Sequence, residues 1–362
     1  MDSRALIIAE AGVNHNGDRA RALDLVKAAK RAGADVVKFQ SFRAEKLATA
    51  SASKANYQQV TTGSEQSQLD MLRGLQLTED DEEVVAAACA AAGIEYLSTP
   101  FDPDSATNLV RRVGMRRIKI GSGDLTNAPL LLHVARFNLP IILSTGMATL
   151  SEVERALGVI AYGYLRGAAA QPSLADFSEI LLDRKTWTEL RKKVTLLHCT
   201  TEYPAEAQSI NLRAMATLTN AFDLPVGFSD HSRGIHIASA AAALGASVIE
   251  KHLTLDRNLP GPDHRASIEP DEFAAMVQSI RDVELALGDG RKVPAPEELA
   301  NRNIARRSLV AARAIARGEK FTPDNIAVKR PGTGMAPEHY WDLLGQVADR
   351  AYAEDESVGR VI

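Results

Sequence analysis

Between residues 6 and 252, eight short apolar runs each end in polar or charged side chains: LIIAE (6–10), VVKFQ (36–40), YLST (96–99), IKIGS (118–122), IILST (141–145), VTLLH (194–198), VGFSDH (226–231) and VIEKH (248–252). Runs this short, bounded by turns and separated by Ala- and Leu-rich helical stretches, are expected to be buried parallel strands of βα units. Eight such units close into a (β/α)8 barrel, an α/β fold. The carboxyl ends of the strands form the active face of that fold, so polar residues gathered there point to chemistry rather than packing. The pattern predicts an enzyme.

The chain has 362 residues and a formal net charge of −4. That length accommodates a barrel of about 250 residues with a smaller module beside it. Weak acidity without a long basic run argues against nucleic acid as a partner. Cys89 and Cys199 stand far apart with no CxxC spacing, as expected in a reducing compartment and not in a disulfide scaffold. The five-residue apolar run before Glu10 is too short for a signal-peptide core, and no apolar stretch reaches membrane-spanning length. A cytoplasmic protein is expected.

Breakers divide the chain. The stretches 19–31 and 81–92 carry Ala, Leu and Val at helical spacing and stop at Gly33 and Gly93, so they are expected to be helices packed outside the barrel. Between the fifth and sixth strands, residues 167–178 form an insertion loop containing QPS (171–173). After a helix over 270–287, the turn-forming and charged stretch GDGRKVPAP (288–296) marks an interdomain linker. The expected domains are a barrel over 1–287, a linker over 288–300 and a small β-rich module over 301–362. The module's strands are SLVAA (308–312) and IAVK (326–329), broken by RGE (317–319) and PGTG (331–334).

His231 and His252 end two neighbouring predicted strands, so their imidazoles can converge over the barrel mouth. Two neutral imidazoles with open positions suit a divalent transition-metal or Mg2+-like ion whose other ligands are water and substrate oxygens. Either histidine alone is as well explained by a hydrogen bond within a loop; two at consecutive strand ends favour the metal. Lys38 and Lys119 lie inside strand runs, level with Thr99, Ser122 and Ser144. A lysine there is a Schiff-base amine, a fixed cation for phosphate or carboxylate, or a strand-edge residue reaching solvent; the hydroxyls around it favour a small phosphorylated anion. Glu10, ending the first strand, can move a proton, orient a sugar hydroxyl, or form a salt bridge to Lys38 or Lys119. Asp263, within PGPDH (260–264), can bind polyol hydroxyls or simply belong to a turn.

Nine segments, in chain order, resemble the bacterial sialic acid (nonulosonic acid) synthases, also called N-acetylneuraminate synthases: IAEAGVNHNG (8–17), VKFQ (37–40), STPF (98–101), KIGSGD (119–124), LSTGM (143–147), LHCT (197–200), GFSDH (227–231), EKH (250–252) and KRPG (329–332). The resemblance covers both domains. It implies a TIM barrel joined to a C-terminal antifreeze-like (SAF) domain, in a domain-swapped homodimer where that domain of one subunit covers the barrel mouth of the other. It implies phosphoenolpyruvate against Lys38, Thr99, Lys119, Ser122, Ser144 and Ser229, and Mn2+ or Mg2+ held by His231 and His252. An acylamino sugar would meet Glu10, Gln40, Tyr203 and Asp263, and Arg330 of the partner subunit would reach its N-acyl group. Thr201 and Glu202 depart from the family pattern, which has Asn after HCT in some members, and the departure touches a phosphate contact.

The implied reaction is a metal-dependent condensation of phosphoenolpyruvate with an open-chain N-acylmannosamine. Phosphate leaves by C–O rather than P–O cleavage, and a nine-carbon 2-keto sugar acid forms. Glu10 is expected to handle the proton, with Lys38 and Lys119 neutralising the phosphate. The segments PGPDHRAS (260–267) and NYQ (56–58) look like the neuraminate and legionaminate branch. N-acetylmannosamine is the expected acceptor, with 2,4-diacetamido-2,4,6-trideoxymannose, the legionaminate precursor, as the alternative. Two other activities stay open on the residues alone: a metal-free Schiff-base aldolase using Lys119, and a non-catalytic sugar-binding protein built around the C-terminal module.

Overall fold

Each of the eight apolar runs becomes a strand in the computed structural model, which describes residues 4–63, 65–166 and 171–359. The strands are β1 (Leu6–Gly12), β2 (Val36–Ser41), β3 (Glu95–Pro100), β4 (Ile118–Ile120), β5 (Ile141–Ser144), β6 (Val194–Cys199), β7 (Val226–Asp230) and β8 (Val248–His252). They form one parallel sheet in the order β3-β2-β1-β8-β7-β6-β5-β4. β3 and β4 lie side by side without a ladder among the described residues, so the barrel is nearly closed. β4 is short because Ser122–Asp124 turn into a 3-10 helix directly after it.

Helices fill the crossovers. α1 (Arg19–Arg31) follows β1; α2 (Ala44–Leu47), α3 (Asn56–Thr62), α4 (Gln68–Leu75) and α5 (Glu79–Ala92) follow β2. α6 (Pro103–Arg111) and α7 (Ala128–Ala135) follow β3 and β4, and α8 (Leu150–Arg166), α9 (Leu174–Glu179) and α10 (Arg184–Lys193) follow β5. α11 (Ala207–Ile210), α12 (Ala214–Phe222), α13 (His236–Ala243) and α14 (Pro270–Leu287) complete the set. Their ends obey local chemistry. Asp18 caps α1 by accepting from the amides of Ala20 and Arg21, and the helix buries Ala22, Leu25, Val26, Ala28 and Ala29. Thr78 and Asp81 form a capping box on α5, four carboxylates sit in its first turn, and Gly93 ends it in a left-handed conformation.

The inner and outer layers share one core, in which Ile7, Ile8, Val36, Val37, Leu97, Ile118, Ile120, Leu143, Leu196 and Ile249 are buried. A second, smaller cluster lies in the excursion α2–α4, where Val13, Phe42, Ala44, Met71, Leu72 and Leu75 pack together. Of the expected 167–178 insertion, residues 167–170 lie outside the described residues. The rest contains α9, capped by Ser173 through the amide of Asp176.

The chain divides into two units, Met1–Gly288 and Asp289–Ile362. Part of the stretch expected as a linker is helical: α15 (Pro296–Ala305) starts at a proline that suits a first helical turn, and glutamates follow it. The second unit pairs β9 (Ser308–Ala311) with β10 (Ile326–Lys329) in antiparallel register, and α16 (Tyr340–Leu343) follows. Its own core holds Leu309, Ile315, Phe321, Ile326, Leu343, Tyr352 and Val358. Among the described residues, no helix is long and apolar enough to cross a membrane.

Candidate active site

Strand register assembles the site. Glu10 on β1 lies level with Lys38 on β2 and with His252 on β8, and Ser229 on β7 lies level with Glu250 on β8. Side chains two residues apart on a strand share a face, so Lys38 with Gln40, and Glu250 with His252, enter the barrel together. One cavity of about 170 Å³ is lined by Glu10, Lys38, Gln40, Thr99, Lys119, Ser122, Ser144, Tyr203, Ser229, His231 and His252. β1 slips register between Glu10 and Gly12. Gly12 has φ +52°, and a Cβ there would meet Glu10 Oε1 at 3.2 Å and Gln40 Nε2 at 3.4 Å, so only glycine lets the bulge aim Glu10 inward without strain.

Four charges meet in the interior. Lys38 Nζ lies 2.5 Å from Glu10 Oε2 and 3.7 Å from Glu250 Oε2, and Lys119 Nζ lies 3.2 Å from Glu250 Oε1. Lys38 also donates to Thr99 Oγ1 (3.2 Å), and Ser229 Oγ donates to Glu250 Oε1 (2.9 Å). All four ionisable groups are buried. Burial works against the charge of Glu250, but Lys119 and Lys38 outweigh it and hold that carboxyl at about 2. Burial raises Glu10 above the usual carboxylate range even beside Lys38, helped by repulsion from Glu250. Glu10 and Glu250 together raise Lys38 against the pull of burial, whereas burial lowers Lys119. An arriving anion would favour the charged form of Lys119 against the effect of burial.

The hydroxyls are fixed beside these lysines. Ser122 Oγ accepts from the amide of Gly146 (2.9 Å) and touches Cys199 Sγ (3.2 Å). A Cβ on Gly146 would stand 2.4 Å from Thr201 Oγ1 and 2.8 Å from Ser122 Oγ, so the glycine keeps a polar niche open between the ends of β4, β5 and β6. Thr201 and Glu202 are both exposed, and Thr201 lines the cavity in this niche.

His231 and His252 face each other with ring centroids 5.6 Å apart, and Tyr203 lies 4.2 Å from the first and 5.6 Å from the second. His231 Nδ1 donates to Thr200 O (2.6 Å). Ser229 spends its proton on Glu250, so His231 Nε2, 3.3 Å from Ser229 Oγ, keeps its lone pair. Among the described residues, His252 Nδ1 is buried without a hydrogen-bond partner. Burial lowers His231 to about 4 and His252 well below its ordinary value, so both rings are neutral near pH 7. Two neutral imidazoles with open nitrogens fit a divalent ion. Among the described residues, no cluster of three or more His, Cys, Asp or Glu that could hold a metal is present.

The residues between the histidines and their strands alternate outward. Lys251 and Asp230, level with each other on β8 and β7, form a fully buried ion pair of 2.8 Å outside the barrel. Lys251 also donates to Ser232 O (2.5 Å), and Asp230 Oδ1 accepts from the Ser232 amide and hydroxyl. This network clamps both strand ends that carry the histidines.

Two predicted residues lie elsewhere. Asp263 is buried in a neighbouring cavity of about 280 Å³ that shares Gln40, Tyr203 and His252 with the first; burial and Glu10 raise its carboxyl to about 7. Arg330 is in the second unit, exposed, its Nε donating to Ala305 O (3.0 Å). Glu250, which binds both lysines, was not among the predicted site residues. Its signal was present: it stands two residues before His252 in an apolar strand, on the same face.

The NeuB family model matches residues 25–292, and the SAF domain model matches residues 306–359. The chain is 46% identical to N,N'-diacetyllegionaminic acid synthase of Campylobacter jejuni subsp. jejuni, over 98% of this chain and 99% of that protein. It is 44% identical to the synthase of the same name from Legionella pneumophila subsp. pneumophila, over 94% of this chain and 89% of that protein. A crystal structure of N-acetylneuraminic acid (sialic acid) synthetase from Leptospira borgpetersenii, in complex with citrate, superposes with a TM-score of 0.67. It has 30% identity and covers 83% of this chain and 90% of its own.

Proposed function

The chain is an enzyme of the NeuB family, a nonulosonic acid synthase with a C-terminal SAF domain, and from that premise we propose that it condenses phosphoenolpyruvate with 2,4-diacetamido-2,4,6-trideoxymannose to form N,N'-diacetyllegionaminic acid and phosphate. The buried cluster of Lys38, Lys119, Glu10 and Glu250, ringed by hydroxyls and opening onto His231 and His252 in one cavity, is the observation that supports it most. Between the two acceptors expected from sequence, the likeness to the two legionaminic acid synthases favours the 6-deoxy sugar over N-acetylmannosamine.

Phosphoenolpyruvate lies with its anionic groups against Lys38, Lys119 and the hydroxyls of Thr99, Ser122, Ser144 and Ser229. Its C3 attacks the aldehyde carbon of the open-chain sugar. A divalent ion such as Mn2+ or Mg2+ on His231 and His252 supplies Lewis-acid polarisation of the aldehyde when bound. Glu10, whose carboxyl burial raises above the usual carboxylate range, gives its proton to the aldehyde oxygen as the C–C bond forms. Water adds to C2, where positive charge develops, and one of its protons returns to Glu10; C–O cleavage then expels phosphate, which takes the remaining hydroxyl proton, and leaves the 2-keto acid. Glu250 stays ionised and holds both lysines in place. Gln40, Tyr203 and Asp263 orient the sugar, and Arg330 of the partner subunit in a domain-swapped homodimer contacts its N-acyl group.

Phosphate release and product mass spectrometry, with phosphoenolpyruvate plus each sugar, before and after chelation and Mn2+ restoration, test this. Metal-dependent phosphate and a nine-carbon acid from the 6-deoxy sugar are expected. No phosphate from either sugar with folded, metal-loaded protein defeats the proposal, and borohydride trapping of pyruvate on Lys119 would put an aldolase in its place.

A further inference from the structure

We infer that the excursion α2–α4 is the acceptor-selecting element, and that its apolar wall receives the deoxygenated C6 end of the sugar. The cavity of about 280 Å³ that adjoins the reaction cavity shares Gln40, Phe101, Tyr203 and His252 with it. The apolar side chains that the excursion gives its lining are Leu47 of α2 and Met71, Leu72 and Leu75 of α4. These four belong to the small hydrophobic cluster that stands apart from the barrel core, with Leu47 only half-buried at its margin.

Direction follows from the shared wall. The aldehyde end of the acceptor belongs beside His231 and His252, and His252 and Tyr203 border both cavities, so the carbons leading away from C1 pass into the second one. There the polar groups are amides, a phenol and a carboxylic acid, from Gln58, Gln68, Tyr57 and Asp263. Amides pair with acetamido groups, and among the described residues no lysine or arginine lines this cavity, so a 6-phosphorylated sugar would find no cation among them. A 6-hydroxymethyl group would press its hydroxyl against leucine and methionine side chains that cannot pair with it. A 6-methyl group fills the same space without that desolvation cost.

The inference rests on the reaction proposed above and refines its acceptor. Its test is steady-state turnover of wild type, Leu47→Gln and Met71→Gln with the 6-deoxy diacetamido sugar and with N-acetylmannosamine. The kcat/KM ratio should move toward N-acetylmannosamine by roughly tenfold or more, the range for a single group in an apolar pocket. The change should fall on the sugars and not on the KM for phosphoenolpyruvate. An unchanged ratio in Leu47→Gln, at a half-buried position that accommodates glutamine, overturns the inference even where Met71→Gln fails to fold. A wild type that prefers N-acetylmannosamine overturns it while leaving the condensation intact; a wild type that turns over neither sugar defeats the reaction itself.

Discussion

Glu10 and Glu250 are carboxylates in one buried cluster, pushed in opposite directions. Glu250 accepts from Ser229 and sits between two lysines, whereas Glu10 has Lys38 and a long contact from Gln40 at 3.3 Å. Two titratable groups driven apart by their surroundings take separate parts, one a fixed anion and the other a proton carrier. A third buried carboxyl, Glu82, lies outside the barrel interior and accepts from Asn108 Nδ2 (2.9 Å); burial raises it to about 7, with hydrogen bonds from Ser41 and Asn108 offsetting part of the effect. The stability this group contributes is fully present below its unfolded value near 4.5 and is lost as pH rises through about 7. Glu82→Gln removes the titration. Relative to wild type it should gain stability on the order of 2 to 3 kcal/mol from about pH 5 to about pH 8, read from denaturant unfolding at both values; a constant difference between the two proteins refutes the assignment. The ends of the apolar runs made Glu10 legible in the sequence. The division of labour with Glu250 was not, because it depends on which lysine reaches which oxygen.

At the scale of the element, strands were the most legible part of the chain. A buried parallel strand needs an apolar run a few residues long, and every such run became one. α1, β8, β10 and α14 occupy the expected positions because their caps and breakers are local. The excursion α2–α4 was illegible: its helices are short, and its core joins Val13 and Phe42 to α4 across the barrel rim. β7 and β8 carry a further device, the Lys251–Asp230 pair behind the two histidines. Lys251→Met leaves Asp230 buried without its cation and should cost about 3 to 5 kcal/mol of stability, with a matching loss of affinity for Mn2+. The double variant Asp230→Leu/Lys251→Met should recover most of the stability and not the affinity, since the hydrogen bonds to Ser232 are gone. Thermal unfolding and Mn2+ titration separate the two effects, and a double variant no more stable than the single one contradicts the pairing.

The whole molecule has two units with separate cores, and the proposed contacts of the sugar are divided between them. In a domain-swapped homodimer, Glu10→Gln and Arg330→Ala should each lose most of the activity alone, because each damages one side of every site. Co-expressed, they should regain about a quarter of wild-type activity, since half of randomly formed dimers carry one site with an intact barrel and an intact partner SAF domain. Mixed preparations that stay as inactive as their parents would mean that Arg330 serves its own barrel.

The sequence by itself determined the strands, the barrel they form and the side of the barrel on which its polar strand ends gather. Those depend on short-range periodicity and on which face of a strand a residue occupies, and both are local. Only the tertiary structure decided how the charges are shared, which nitrogens of His231 and His252 stay open, and that an apolar compartment from the excursion adjoins the reaction cavity. Such features arise where distant segments converge: burial, proximity of unlike charges and the matching of surfaces are properties of the folded arrangement.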